Sequence, residues 1–230
     1  MRRQLADYRV FLKEFRRTFH TTGALLPSSP GLSRELSRYV AAGADSCRAD
    51  GAGRRIMEVG PGTGAVTRSI VRRLGAGDRL DLVEVNKEFV AHLRDLLDCD
   101  PELRAVADRT TIIHRAIQDV PDTEHYDAIV SCLPLNNFSA DDVDRILGTF
   151  RRLLKPAGTL SFFEYVAVRP FRGTVGSRRE RQRLRAIGRS LGTLLGQHEF
   201  HRRAIWINVP PAWVHHLRFG NSGRQAHTAV

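Results

Sequence analysis

Apolar residues recur along this chain in two rhythms, one helical and one extended. Over residues 3 to 19, Leu5, Tyr8, Phe11, Leu12, Phe15 and Phe19 share one helical face, while Arg2, Arg3, Arg9, Lys13, Arg16 and Arg17 cover much of the rest. That spacing predicts a basic amphipathic helix. In the next segment, "TTGALLPSSPGLSREL", Pro27 and Pro30 bracket a turn, and Ser29 or Ser33 is placed to cap a helix running to about Tyr39. Residues 41 to 53 read as loop. From residue 54 short apolar runs take over, at 54–59, 79–85, 110–114, 126–132 and 158–166, with helical patterns between them over 64–74, 87–98 and 140–154. Apolar strands joined by helical crossovers predict a parallel sheet covered on both faces. An Arg-rich helix follows over 175–196, striped by Leu184, Ile187, Leu191 and Leu194. Two late antiparallel strands, within 199–209 and 213–219, flank Pro210 and Pro211, and residues 220–230 read as a frayed tail.

Composition narrows the class without choosing a function. A chain of 230 residues with 42% hydrophobic content is long enough for one sizeable core. Its 36 basic against 25 acidic residues give a net charge of +11, which favours a polyanionic partner, either nucleic acid or an anionic membrane surface. Cys47, Cys99 and Cys132 are odd in number and scattered, which suits a reducing compartment and core thiols rather than disulfides. No apolar run reaches the roughly 18 residues of a spanning helix, and the basic start lacks the apolar centre of a signal peptide. The expectation is a cytoplasmic protein. Its nine histidines offer no metal-ligand spacing, His215 and His216 fall on opposite faces of a strand, and there is no G-x-S-x-G nucleophile turn.

The strongest chemical signal is "MEVGPGTGAV", residues 57 to 66, where Gly60, Gly62 and Gly64 follow a strand and open a helix. Such a loop lets a ligand approach the backbone and presents it with the N–H groups of a helix start. A dinucleotide fingerprint would read G-x-G-x-x-G with an acidic residue about 20 positions later. Here the third glycine comes one residue early, and Glu58 adds a carboxylate that a dehydrogenase loop does not call for. Glu84, at the C-terminal end of the second strand, is placed to accept hydrogen bonds from a ribose diol. A nucleoside is the ligand these residues imply.

"EVGPGTGAVT" together with "LVEVN" resembles motifs I and II of the class I S-adenosylmethionine-dependent methyltransferases. The resemblance implies an α/β, Rossmann-like fold with a mostly parallel seven-stranded sheet and helices on both faces. It also implies that Glu58 faces the methionine moiety, that Gly60, Gly62 and Gly64 let S-adenosylmethionine approach, and that Glu84, with Val85 beside it, holds the ribose. Many of these enzymes contact adenine through a G-D-A-like stretch after the third strand. This chain has "HRAIQD", in which Ala116, Ile117 and Gln118 can offer backbone N–H groups, apolar contact and an amide, but no aspartate stands at the usual place. Cys132 and Leu133, at the end of the fourth strand, complete the implied cofactor contacts.

The acceptor is addressed by "VSCLPLNNFS", residues 130 to 139, since in this fold the loop after strand four faces the transferred methyl. Enzymes that methylate base amines carry an Asn/Asp-Pro-Pro/Leu-Tyr/Phe motif there, and Cys132 and Leu135 stand where its amide and aromatic would be. The rRNA adenine N6-dimethyltransferases share a G-P-G loop and a basic surface and remain the nucleic-acid alternative. This chain lacks their N-L-P-Y motif and leaves no room after strand seven for their added helical domain. The set "TGALLPSS", "EVGPGTGAVT", "LPLNNFS" and "LSFFEYVAVR" more closely resembles the bacterial phospholipid N-methyltransferases, which convert phosphatidylethanolamine towards phosphatidylcholine. Related enzymes methylate ornithine lipids, and both head groups stay open.

This second resemblance implies that residues 1–40 form a membrane-associating helix and a cofactor lid, with Gly23 at its turn and Ser28 or Ser29 near the cofactor carboxylate. Residues 41–230 would be the methyltransferase domain. Asn136 and Asn137 can accept hydrogen bonds from the acceptor amine, and Phe138 and Tyr165 can face a growing methylammonium through cation–π attraction. The helix of residues 3–19 would enter the acyl boundary while its arginines meet anionic head groups, placing the enzyme on the inner face of the cell membrane. The Arg run of 169–185 offers guanidinium forks to the same surface or to the lipid phosphate. The expected partner is therefore an amine lipid in an anionic membrane and not nucleic acid. The sequence leaves the oligomeric state open.

Overall fold

A computed structural model describes residues 28–41, 53–123, 125–166, 178–208 and 210–220. The amphipathic helix expected over 3–19, the Gly23 turn, Cys47 and the first part of the Arg run lie outside the described residues. Seven strands form one sheet in the order β3-β2-β1-β4-β5-β7-β6. They are β1 (Arg55–Val59), β2 (Arg79–Glu84), β3 (Thr110–His114), β4 (Tyr126–Ser131), β5 (Leu154–Tyr165), β6 (Glu199–Ile205) and β7 (Ala212–Arg218). β1 to β5 run parallel to one another, and β7 pairs antiparallel with both β5 and β6. β6 is consequently parallel to β5, and its C-terminal end lies at the same edge of the sheet as those of β1, β2 and β4.

The helices are α1 (Pro30–Leu36), α2 (Ala65–Val71), α3 (Lys87–Cys99), α4 (Pro101–Arg104), α5 (Ala140–Leu153) and α6 (Arg178–His198). Their starts follow local chemistry. Ser29 accepts the Leu32 N–H at 3.2 Å with Pro30 in the first turn of α1, Asn86 caps α3, and Ser139 caps α5. Two cores result, one on each face. Leu32, Leu36, Val66, Ile70 and Leu93 of α1, α2 and α3 pack on Ile56, Leu82, Val130 and Val214. Val143, Phe150, Ile187 and Leu191 of α5 and α6 pack on Val59, Ile129, Phe162 and Leu217. The alternation of strand side chains between these faces is what the apolar runs of the sequence encode.

Buried polar groups hold elements together where apolar packing alone would leave register open. Asp81 of β2 accepts from Arg55 of β1 at 2.8 Å and from the Tyr126 hydroxyl of β4 at 2.7 Å. Burial and that carboxylate keep the Tyr126 phenol well above its ordinary range. Glu35 of α1 reaches across to β6 and β7, 3.4 Å from both His201 and Arg203 and 3.5 Å from His216. His216 donates or accepts at 2.8 Å with Ser161 of β5, and burial pushes its pKa down to about 3, so it stays neutral. His215 faces the opposite side of β7, stacked on Phe162 and 2.6 Å from Glu199.

Several boundaries differ from those the sequence suggests. α1 stops at Leu36 instead of Tyr39, because the Ser37 hydroxyl bonds the Ser33 carbonyl at 2.9 Å and the chain leaves as a turn. The sixth strand ends at Ile205, and Trp206 to Asn208 turn back towards β7. Cys99 is exposed at the end of α3 rather than buried as a core thiol, since the helix turns that position outward. Between α5 and the body of β5 the chain makes a tight bend in which Ala157 adopts φ 66°, a left-handed conformation that a Cβ disfavours. Ala157→Gly is expected to stabilise the protein by about 0.5–1 kcal/mol, read as a higher urea midpoint with unchanged slope.

Candidate cofactor and acceptor site

Sheet order reverses between β1 and β4, and ligands of open α/β sheets bind in the crevice at such a point. The loop leaving β1 fills that crevice. Gly60, Gly62 and Gly64 have φ of 72°, 55° and 76°, so each glycine of the motif occupies the left-handed region. Gly60 donates to the Val83 carbonyl at 2.9 Å, and Cys132 donates to the Val59 carbonyl at 2.8 Å, which locks the loop between its two neighbouring strands. A Cβ on Gly60 would come 2.9 Å from a Leu133 methyl and one on Gly64 2.9 Å from Leu96, whereas one on Gly62 would meet nothing within 4 Å. The loop is packed at both ends and open in the middle. That is a cradle for a ligand set against the Gly62 backbone.

Glu84 closes the cradle from β2. Its Oε1 accepts the Val85 and Asn86 N–H groups, each at 2.9 Å, and its Oε2 accepts the Gly62 N–H at 3.3 Å. A carboxylate has about four lone-pair positions, so Oε2 retains capacity for a hydroxyl, and the long Gly62 bond is the one a ribose diol would displace. Burial raises the Glu84 pKa, and the three backbone donors oppose that rise.

Glu58 lies deeper. It is fully buried, its Oε2 accepts from the Thr67 hydroxyl at 2.7 Å, and its Oε1 lies 3.6 Å from the Cys132 sulfur. Desolvation dominates over the Thr67 bond and lifts its pKa to about 7. Burial and the neighbouring Glu58 likewise push the Cys132 thiol well up. A carboxyl poised between its two charge states beneath the glycine loop can respond to a cationic ligand group above it.

After β3, where the resemblance implied an adenine contact, Ala116 precedes a short turn, Ile117–Asp119, in which Ile117 is buried in the α5-side core. Gln118 Oε1 is buried without a partner. It is an acceptor of the kind an exocyclic amine would satisfy. The loop after β4 carries a second such atom, Asn136 Oδ1, on a residue only 4% exposed. Asn137 is half-buried and closes the turn by donating to the Pro134 carbonyl at 2.9 Å, while Phe138 packs into the core. Tyr165 ends β5, half-buried, edge-on to Phe163, with its phenol pushed up to about 12 by burial.

The structure brings Glu58, the three glycines, Glu84, Val85, Cys132 and Leu133 together at the switch point. Ser28 and Ser29 stand at the start of α1, on the same face as α2, with the Ser29 N–H donating to Asn208 of the β6–β7 turn at 3.2 Å. The Arg run offered to the membrane contains Arg183 of α6, which in the structure donates instead to the Asn136 carbonyl at 2.9 Å and to the Phe138 carbonyl. Thr67, the last residue of the "EVGPGTGAVT" stretch, and Asn208 were given no role by the sequence, since their partners Glu58 and Ser29 are met only in the fold.

Two outcomes follow from the two carboxylates. Because the folded chain favours protonated Glu58, the stability this residue contributes is fully present below its unfolded pKa and lost as pH rises through about 7. The unfolding free energy of the wild type relative to Glu58→Gln should therefore fall by on the order of 3 kcal/mol between about pH 4 and pH 8, measured by urea denaturation. Glu84→Ala should weaken S-adenosylmethionine binding by about ten- to a hundredfold through loss of charged hydrogen bonds. Calorimetry reporting unchanged affinity would remove the ribose assignment.

Comparison with known proteins agrees with this geometry. Residues 56–158 match the family model of a methyltransferase domain. An ornithine lipid N-methyltransferase of Singulisphaera acidiphila is 27% identical over 68% of this chain and 77% of its own length. A ubiquinone/menaquinone biosynthesis C-methyltransferase of Idiomarina loihiensis is 26% identical over 59% of this chain and 50% of its own. Among solved structures, the O-methyltransferase from Bacillus cereus in complex with S-adenosylhomocysteine superimposes with a TM-score of 0.58 over 91% of each chain at 16% identity, a likeness of fold. Residues 56–158 are accordingly a methyltransferase domain on this fold, with S-adenosylmethionine as the cofactor.

Proposed function

We propose that this enzyme methylates the amine of a membrane lipid head group, phosphatidylethanolamine or an ornithine lipid. The observation that carries the reading is Asn136 Oδ1, a buried acceptor without a partner on the loop that follows β4. Leaving such an atom unpaired costs about 1–3 kcal/mol, which an N–H donor of the substrate would recover. Arg183, by holding the carbonyls on either side of the turn, fixes the loop from the backbone and leaves the Asn136 amide free to face a ligand. The similarity to an ornithine lipid N-methyltransferase supports the same acceptor class.

S-adenosylmethionine supplies an electrophilic methyl group on a sulfonium. The protein's part is placement: a neutral amine must lie in line with the S–CH₃ bond, shielded from water. Asn136 orients the amine by accepting one N–H. Tyr165, whose phenol stays protonated, offers its ring to the methylammonium product by cation–π attraction. That contact needs no N–H, and so would tolerate successive methylations. The apolar periodicity and the arginines in the sequence of residues 3–19 support association with the inner face of the cell membrane, as does the net charge of +11. Among the described residues no helix is long and apolar enough to cross a membrane.

Incubation with radiolabelled S-adenosylmethionine and anionic liposomes containing phosphatidylethanolamine, liposomes containing ornithine lipid, or total rRNA should place the label in a lipid fraction. Asn136→Ala should cut that rate by about tenfold or more at unchanged cofactor affinity. Label appearing in RNA alone would sink the lipid reading.

A further inference from the structure

The exposed large apolar side chains among the described residues are Phe200, Trp206 and Ile207, at 42%, 65% and 92% exposure, all on β6 or the turn that leaves it. Scattered apolar residues on a surface call for no explanation, but Trp206 and Ile207 are adjacent at a hairpin tip. Trp206 packs edge-on against Trp213 with ring centroids 6.2 Å apart, and the Arg202 guanidinium lies 4.8 Å over Trp213. Between Phe200 and Gly220 the sequence holds no acidic residue. The tip therefore combines an apolar wedge, two indoles and a cation.

Register places this tip beside the reaction site. Ile205 and Tyr165 are both paired with Ala212, so Trp206 begins one residue beyond the row that holds Tyr165, two strands away. Strands lie about 4.8 Å apart, which puts the backbone at the tip on the order of 10 Å from that of Tyr165. Through Asn208, which accepts the Ser29 N–H and donates to the Pro210 carbonyl at 2.7 Å, the turn is also braced against the start of α1.

We infer that the β6–β7 turn is a membrane-insertion wedge, with Ile207 and Trp206 entering the head-group boundary of an anionic bilayer and Arg202 meeting its phosphates. Tryptophan favours that boundary because an apolar ring carries a polar N–H, and an adjacent guanidinium selects anionic lipid. The wedge sets the C-terminal edge of the sheet, with the β4 loop and Tyr165, against the bilayer surface, so a head-group amine reaches the site while its acyl chains stay in the membrane. The lipid partner rests on the function proposed above.

The protein has two tryptophans, Trp206 and Trp213, so tryptophan fluorescence, excited selectively over its four tyrosines, reports on this hairpin alone. Full-length protein titrated with phosphatidylglycerol vesicles should show a blue shift, with quenching when the acyl chains carry bromine, and a weaker response to phosphatidylcholine. Ile207→Asp should lower vesicle affinity by about ten- to a hundredfold while S-adenosylmethionine binding and thermal stability are kept. Absence of the shift and quenching on anionic vesicles, or an Ile207→Asp response equal to wild type, would overturn the wedge. A vesicle-independent blue shift that grows with protein concentration alongside a doubled mass would assign the tip to a second copy instead. Methylation of lipid without quenching would spare the lipid reading and remove the wedge, and quenching without lipid methylation would do the reverse.

Discussion

The Glu84 carboxylate is the point on which the site turns. One side chain at the end of β2 receives three backbone N–H groups, from Gly62, Val85 and Asn86, and so ties the glycine loop to the next strand before any ligand arrives. Burial alone would drive this carboxyl towards its neutral form, and the three donors work against that. The loop it braces favours glycine at all three positions, since φ is positive at each and a Cβ at either end would press on a methyl of Leu133 or Leu96. Cofactor geometry is thus preorganised by one acidic side chain and three absent ones.

Beneath this loop and beside it the protein keeps polar atoms in reserve. Glu58 sits wholly out of water with Thr67 and Cys132 for company, Gln118 and Asn136 each hold a buried oxygen without a partner, and Arg183 secures the backbone around Asn136. In a core these would be defects. Under the proposed function, a bound nucleoside and an acceptor amine would complete the open acceptors among them. The cost of leaving them unpaired is offset elsewhere by two extensive apolar cores.

α1 illustrates how binding elements are joined to the scaffold. Glu35 draws together His201, Arg203 and His216 from two strands, while Ser29 both caps the helix and meets Asn208 in the β6–β7 turn. The start of α1 and the exposed apolar tip are consequently braced against one another.

Local pattern determined much of this protein. The sheet, its crossover helices, the stripe of α6, the glycine loop and its acidic partner were all legible, because burial periodicity and positive-φ glycines are written residue by residue. Caps were legible for the same reason, as with Ser29. The end of α1 at Leu36 and the turn at Trp206 were not, since a serine back-bond and the pairing of two distant strands decide them. Likewise the sequence named Asn136 and Asn137 as equals, and only packing separated a buried unpaired amide from a half-buried one. Glu35 and the exposed tip have no local signature, and the Arg run that contains Arg183 does not reveal what Arg183 holds. Their roles arise from contacts between residues far apart in the chain, which the sequence specifies through the fold and in no other way.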